Sequence, residues 1–148
     1  MRKKNSVQSD AKSGAAAVSQ NPAVEVIRIA VVEDSPDFRN GLHRLFSESP
    51  GFECLSTHAS AESALCALPA ERPDVVLMDI NLPGKDGIEC VRQLKDQMPG
   101  TVFVMLTVYE NNERIFQAVQ AGDSGYLLKR TDSKELLRAV RDAAILNR

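Results

Sequence analysis

Five short apolar runs recur along the chain and limit most strictly what it can fold into. They cover residues 26–32, 52–57, 74–79, 101–107 and 124–128. Three of them, VIRIAVV, DVVLMD and TVFVMLT, are almost continuously apolar, which is typical of strands covered on both faces in a parallel sheet. The runs therefore predict five strands of one parallel sheet.

Helical patterns separate these runs. Ser35 followed by Pro36 is typical of a helix N-terminus, and Asp132 with Glu135 has the spacing of a capping box. Apolar residues at helical spacing form one face in each of five segments: Phe38, Leu42, Leu45 and Phe46; Ala64, Leu65 and Leu68; Ile88, Val91 and Leu94; Ile115, Phe116 and Val119; Leu136, Leu137 and Val140. Strands that alternate with helices predict a doubly wound α/β fold, with a five-stranded parallel sheet, five helices and right-handed crossovers.

Composition divides the chain into two parts. Residues 1–24 are rich in Ser, Ala, Lys, Gln and Asn without sustained periodicity, so we expect a disordered N-terminal tail. Residues 25–148 are enough for one globular domain, and two domains would be crowded. A formal net charge of −2 gives no basic surface for nucleic acid, so any DNA contact would need another module.

Other features favour a cytoplasmic protein without a membrane partner. No apolar region has the length of a signal peptide or of a membrane span. Three widely spaced cysteines, Cys54, Cys66 and Cys90, lack a metal-binding or redox spacing, so we expect reduced thiols that are buried or half-buried. The isolated histidines His43 and His58 are expected to be surface side chains or to have hydrogen-bond partners within the protein.

Polar residues follow the predicted strands where each apolar run ends. They are Glu33 and Asp34, then Asp79, Thr107 and Lys129. In open α/β sheets, ligands bind outside the carboxyl ends of the strands, so these side chains are expected to share one crevice. The sequence NLPG after Asp79 is typical of a turn, which keeps this acid at the rim of the sheet.

The chemistry of this set points to a phosphoryl group. Three neighbouring carboxylates repel one another unless a cation neutralises them, and oxygen ligands alone suit Mg²⁺. A lysine and a threonine hydroxyl nearby suit a tetrahedral oxyanion. We therefore expect Asp79 to act as a nucleophile toward phosphorus, with Lys129 and Mg²⁺ stabilising the charge on the transferring oxygens.

The motifs VVEDS, LMDINLPGKDG, LT and GYLLK occur in this order at the strand ends. Together they resemble the receiver domain of bacterial two-component response regulators, over roughly residues 26–146. The run LTVYENNERIFQAVQAGDSGYLLKR is especially similar to receivers of LuxR-type regulators. The resemblance implies a flavodoxin-like sheet with strand order 2-1-3-4-5.

The resemblance also implies roles for the acids. Asp79 matches the residue that accepts the phosphoryl group, and Asp34 matches the acid that binds Mg²⁺ directly. Glu33 matches the acid that acts through metal-bound water. The backbone carbonyl of Asn81 matches the third protein ligand.

Three further residues match the catalytic and switch positions of the family. Lys129 matches its catalytic lysine, Thr107 its switch hydroxyl, and Tyr126 the aromatic residue that turns inward after the threonine has moved. Two departures are notable: Arg130 stands where most receivers have a proline, often with a cis bond, and Tyr109 lies close to the predicted phosphoryl site.

The expected function is a switch that is phosphorylated on Asp79 by a sensor histidine kinase and that catalyses only its own phosphorylation and dephosphorylation. The resemblance implies a phosphorylation-dependent homodimer, through a surface made by the fourth helix, fifth strand and fifth helix. Too few residues follow the last predicted helix for a helix-turn-helix module, so we expect a fragment of a transcription regulator or, as the alternative, a stand-alone receiver. An aspartyl-phosphate phosphohydrolase is less favoured because Asn81 occupies the position of the second acid that such enzymes need. A flavodoxin-like cofactor binder is also less favoured, because acids rather than a phosphate-binding loop follow the first strand.

Overall fold

The computed structural model describes residues 26–108 and 125–146. The strands are β1 (Ile27–Val32), β2 (Phe52–His58), β3 (Val75–Asp79), β4 (Val102–Thr107) and β5 (Gly125–Leu128). The helices described are α1 (Pro36–Glu48), α2 (Ala61–Glu71), α3 (Gly87–Lys95) and α4 (Ser133–Leu146). The predicted tail over residues 1–24 and the predicted helix around Ile115 lie outside the described residues.

All strands pair in parallel in the order β2-β1-β3-β4-β5. This confirms the predicted doubly wound sheet and its 2-1-3-4-5 order. The order places the carboxyl ends of β1, β3, β4 and β5 side by side along one edge. Residues that follow these four strands are therefore neighbours in space although they are far apart in sequence.

Side chains of β3 alternate between two apolar layers. Val76 and Met78 pack in one core with α2 and α3, whereas Val75 and Leu77 pack in the other with α1 and α4. Every residue of β3 and β4 is buried. Helices on both faces explain why these strands are continuously apolar rather than alternating with polar residues.

The predicted capping residues begin two of the helices. Ser35 Oγ accepts a hydrogen bond from the Phe38 N–H at 3.5 Å, and Pro36 is the first residue of α1. Asp132 Oδ1 accepts a hydrogen bond from the Glu135 N–H at 3.0 Å, which satisfies a free donor in the first turn of α4. Within the two described ranges, no helix is both long and apolar enough to cross a membrane.

The cysteines and one histidine differ in their surroundings. Cys90 is buried and Cys54 half-buried as predicted, but the prediction is wrong for Cys66, which lies on the exposed face of α2. His58 is buried, with its ring nitrogens 3.0 Å from Ser56 Oγ and 2.7 Å from Ser63 Oγ, so its ring has hydrogen-bond partners as expected. Burial lowers the pKa of His58, and the nearby charge of Glu71 offsets only part of this effect.

Candidate functional site

Three carboxylates meet where β1 and β3 end. Glu33 and Asp34 follow β1, and Asp79 is the last residue of the neighbouring strand β3. One carboxylate oxygen from each lies within 4.8 Å of the others. Glu33 and Asp79 are buried, whereas Asp34 is exposed. The fold thus brings the predicted acids together at the carboxyl edge of the sheet.

Lys129 enters the same cluster from the end of β5. Its backbone N–H donates a hydrogen bond to the Thr107 carbonyl at 2.8 Å, which extends the β4–β5 pairing by one residue. Its Nζ lies 2.8 Å from Glu33 Oε1 and 3.2 Å from Asp79 Oδ2. The Phe38 ring lies against the same ammonium, with its centroid 5.3 Å away. The ammonium is therefore held between two buried carboxylates and an aromatic face.

The cluster is short of positive charge. Burial and then the charge of Glu33 raise the pKa of Asp79 to about 6, although the Asn81 N–H and Lys129 both favour the ionised form. Burial alone would lower the pKa of Lys129, but its close contact with the Glu33 carboxylate and the charges of Asp79 and Glu33 raise it overall. One ammonium therefore faces three acids, and it does not fully compensate even the two buried ones.

A hard divalent cation fits this set of residues. Glu33 Oε1 is buried and is ion-paired with Lys129, yet it accepts no hydrogen bond of good geometry among the described residues. The available ligands are carboxylate oxygens. Asp34 is exposed whereas Asp79 is buried, so the cluster is open to water on the side of Asp34. Mg²⁺ prefers oxygen ligands from one or two carboxylates and retains several of its waters.

The remaining predicted site residues lie around the acids. Thr107 ends β4 and is 1% exposed; it follows Leu106, which pairs with Asp79. Asn81 is exposed, and its backbone N–H donates to Asp79 Oδ1 at 3.0 Å, while the metal-binding role of its carbonyl stays a prediction. Tyr126 lies on β5 with 42% of its surface exposed.

The two departures from the family pattern have different outcomes. No cis peptide bond occurs in the described part of the chain, so the Lys129–Arg130 bond is trans. Tyr109 lies outside the described residues, and its effect on a phosphoryl group stays a prediction.

Sequence reasoning missed two residues that shape the site. Arg39 of α1 donates from Nη1 to the backbone carbonyls of Glu33 at 2.8 Å and Asp34 at 3.3 Å. Gly87 begins α3, and a Cβ at this position would overlap the carbonyl oxygen of Asp79. Their partners are backbone carbonyls, which every residue type carries, so no side-chain pattern could have identified these contacts.

Comparison with known proteins gives consistent matches. Residues 29–141 match the family described as the response regulator receiver domain. The chain is 36% identical over 117 residues to the DNA-binding transcriptional activator DevR/DosR of Mycobacterium tuberculosis (strain ATCC 25618 / H37Rv), covering 79% of this chain and 54% of that protein. It is 33% identical over 118 residues to the transcriptional regulatory protein DegU of Brevibacillus brevis, covering 80% and 50%. The chain thus spans about half the length of these relatives.

Solved structures agree. The signal receiver domain of NarL from Mycobacterium tuberculosis superposes with a TM-score of 0.76 at 31% identity, covering 81% of this chain and 97% of that one. A LuxR-family two-component response regulator from Aurantimonas sp. SI85-9A1 also gives a TM-score of 0.76 at 31% identity, covering 82% and 86%. The chain therefore belongs to the response regulator receiver domain family and resembles the receivers of LuxR-type regulators.

Proposed function

We propose that this domain accepts a phosphoryl group on Asp79 from the phosphohistidine of a sensor kinase. A carboxylate oxygen of Asp79 attacks phosphorus, a P–O bond forms, the P–N bond breaks, and the histidine ring leaves with its electron pair. The observation that carries the proposal is the Lys129 ammonium, placed 3.2 Å from Asp79 Oδ2 within a cluster of three acids. Membership of the receiver family supports the same function.

Each residue of the site has a separate role in this reaction. With a pKa of about 6, Asp79 is mostly ionised at pH 7 and so carries the charge that makes it a nucleophile. Lys129 is positioned to pair with an oxygen of the transferred group. Asp34, Asp79 and the Asn81 carbonyl would hold Mg²⁺, with Glu33 acting through a bound water. The ion would neutralise charge on the phosphoryl oxygens.

Phosphorylation then changes a surface. We expect the buried Thr107 hydroxyl to bond a phosphoryl oxygen and so to leave space near β5. Tyr126, which is 42% exposed in this structure, would turn inward to fill that space. The altered surface, made by β5, α4 and the predicted helix around Ile115, would support a homodimer.

The output belongs to a longer protein in this proposal. The relative DevR/DosR is named as a DNA-binding transcriptional activator, and this chain spans 54% of it. We infer that DNA is bound through a separate output domain, while this domain reports phosphorylation. A cytoplasmic location is part of the proposal, since three free thiols suit a reducing compartment.

The domain is proposed to be a switch and not an enzyme acting on other substrates. A phosphohydrolase of this type needs a second acid two residues after the nucleophile. That residue is Asn81, whose amide has no acidic proton to donate to a leaving group. Sustained hydrolysis of phosphate esters by the purified chain would restore the phosphohydrolase as the better interpretation.

Acetyl phosphate with Mg²⁺ tests the assignment, followed by mass spectrometry of the intact chain. The wild-type chain is expected to gain one phosphoryl group, and Asp79→Asn none. Asp96→Asn is the matched control, because Asp96 is an exposed carboxylate at the end of α3. Equal labelling rates of Asp79→Asn and the wild type would disprove the assignment.

A further inference from the structure

Arg39 connects the first helix to the acidic turn. It is the fourth residue of α1, and its Nη1 donates to the carbonyl of Glu33 at 2.8 Å and to that of Asp34 at 3.3 Å. These are the two residues between β1 and the helix cap, and they supply two of the three clustered carboxylates. One guanidinium thus holds the backbone of both acids.

The other contacts of this turn leave Asp34 to be held through its main chain. The Glu33 carboxylate accepts a hydrogen bond from the Ser35 N–H at 3.0 Å, and the Arg39 N–H donates to the Ser35 carbonyl at 2.9 Å. The Asp34 side chain is exposed, so its direction depends on the backbone of the turn. The Arg39 side chain holds that backbone through the carbonyls of Glu33 and Asp34.

We propose that Arg39 is a positioning residue for the cation site: it holds the Glu33–Asp34 backbone in the conformation that presents both carboxylates to Mg²⁺. This inference rests on the proposed function, because it assumes that the site binds Mg²⁺. Ligands of a metal are commonly oriented by hydrogen bonds to groups behind them, and losing such a partner weakens metal binding. Arg39 does this through the main chain of the ligands.

The charge of Arg39 has the opposite effect, which makes the idea testable. A guanidinium this close to the acids repels a cation, so removing the charge alone would strengthen Mg²⁺ binding. Removing the hydrogen bonds frees the turn and weakens binding. The sign of the change in Mg²⁺ affinity therefore separates positioning from electrostatics.

The variants are Arg39→Met and Arg39→Lys, with Arg44→Met as the matched control. Arg44 is exposed on the same helix, so its replacement removes the same charge farther from the acidic turn. Methionine has a helix propensity close to that of arginine, which keeps α1 intact. Lysine retains the charge but is one bond shorter, and it should restore part of the positioning.

Isothermal titration calorimetry of the full chain with Mg²⁺ gives the dissociation constants, and urea unfolding without Mg²⁺ shows that each variant is folded. We expect Arg39→Met to raise the dissociation constant about tenfold, Arg39→Lys to raise it less, and Arg44→Met to leave it unchanged. An equal or lower constant for Arg39→Met would overturn the inference while leaving the proposed function intact. If Arg39→Met does not fold, an unchanged constant for Arg39→Lys overturns it equally. Failure of the wild-type chain to bind Mg²⁺ would instead refute the proposed function.

Discussion

Ionisation of Asp79 should destabilise the metal-free domain, and the size of this effect can be worked out. Folding raises the pKa of Asp79 from its ordinary 3.8 to about 6, chiefly through burial and then through the charge of Glu33. The native state therefore binds more protons than the unfolded state between these two values. By linkage, the free energy of unfolding falls as the pH rises through this window.

The magnitude follows from the difference between the two pKa values. A pKa difference of 1 corresponds to about 1.4 kcal/mol. The rise from 3.8 to about 6 therefore means that full ionisation of Asp79 costs about 3 kcal/mol of folding free energy. Asparagine has nearly the same shape and no charge. Asp79→Asn should therefore be more stable than the wild type by about 3 kcal/mol at pH 8 and by roughly half as much at pH 5.

Urea unfolding at several pH values in EDTA measures this gap. Comparison of the two proteins cancels the contribution of His58, whose lowered pKa makes stability rise with pH in an overlapping range. Lys129 keeps its charge throughout, because its pKa is raised from an already high value. The slope of the difference therefore reports Asp79 and the groups coupled to it.

Mg²⁺ should narrow the stability gap between the wild type and Asp79→Asn. At a concentration ten times its dissociation constant, a ligand that binds only the native state adds about 1.4 kcal/mol. The wild type should gain this stabilisation, and Asp79→Asn, which lacks one carboxylate of the cluster, should gain less. A gap that stays constant from pH 5 to 8 in EDTA, or that narrows as the pH rises, would refute the electrostatic description of the site.

Three further perturbations test other contacts. Lys129→Gln should destabilise the domain by about 3 kcal/mol in urea unfolding, because it leaves the buried Glu33 carboxylate unpaired. Adding Glu33→Gln should recover much of the lost stability, and a double variant without this recovery would contradict the pairing. Gly87→Ala should lower the free energy of unfolding by more than about 2 kcal/mol, because its Cβ overlaps a carbonyl at the end of β3. The control Gly100→Ala, whose Cβ would have nothing within 4 Å, should change it by less than about 0.5 kcal/mol. Equal thermal denaturation midpoints for the two variants would refute the overlap. Thr107→Val should still be phosphorylated but should not dimerise on sedimentation, whereas Thr107→Ser should; dimerisation of both would exclude the hydroxyl as the switch.

The sheet was predictable because its signals are local. Each strand is an apolar run, and a run buried on both faces, such as Val75–Asp79, differs clearly from a half-exposed one. The rim residues were predictable by a rule of topology, since parallel strands present their carboxyl ends at one edge. Glu33, Asp79 and Lys129 follow from that rule without any knowledge of distances.

The contacts within the site depend on geometry that no pattern carries. Arg39 and Gly87 act on backbone carbonyls, so their partners have no side-chain signature. The error at Cys66 has a different cause, because the general tendency of free cysteine to be buried was applied to a residue that lies off the apolar face formed by Ala64 and Leu68.

The distances also indicate that the proposed phosphoryl transfer to Asp79 would need a second positive charge besides Lys129. Lys129 lies nearer to Glu33, at 2.8 Å, than to Asp79, at 3.2 Å, so its ammonium first compensates the more deeply buried acid. An oxygen transferred to Asp79 would compete with Glu33 for this ammonium. Separating Lys129 from Glu33 would leave a fully buried carboxylate uncompensated, which costs several kcal/mol. In the proposed function, Lys129 would turn to a phosphoryl oxygen only where another cation offsets Glu33, and the exposed Asp34 is the acid of the cluster that such a cation would reach from solvent.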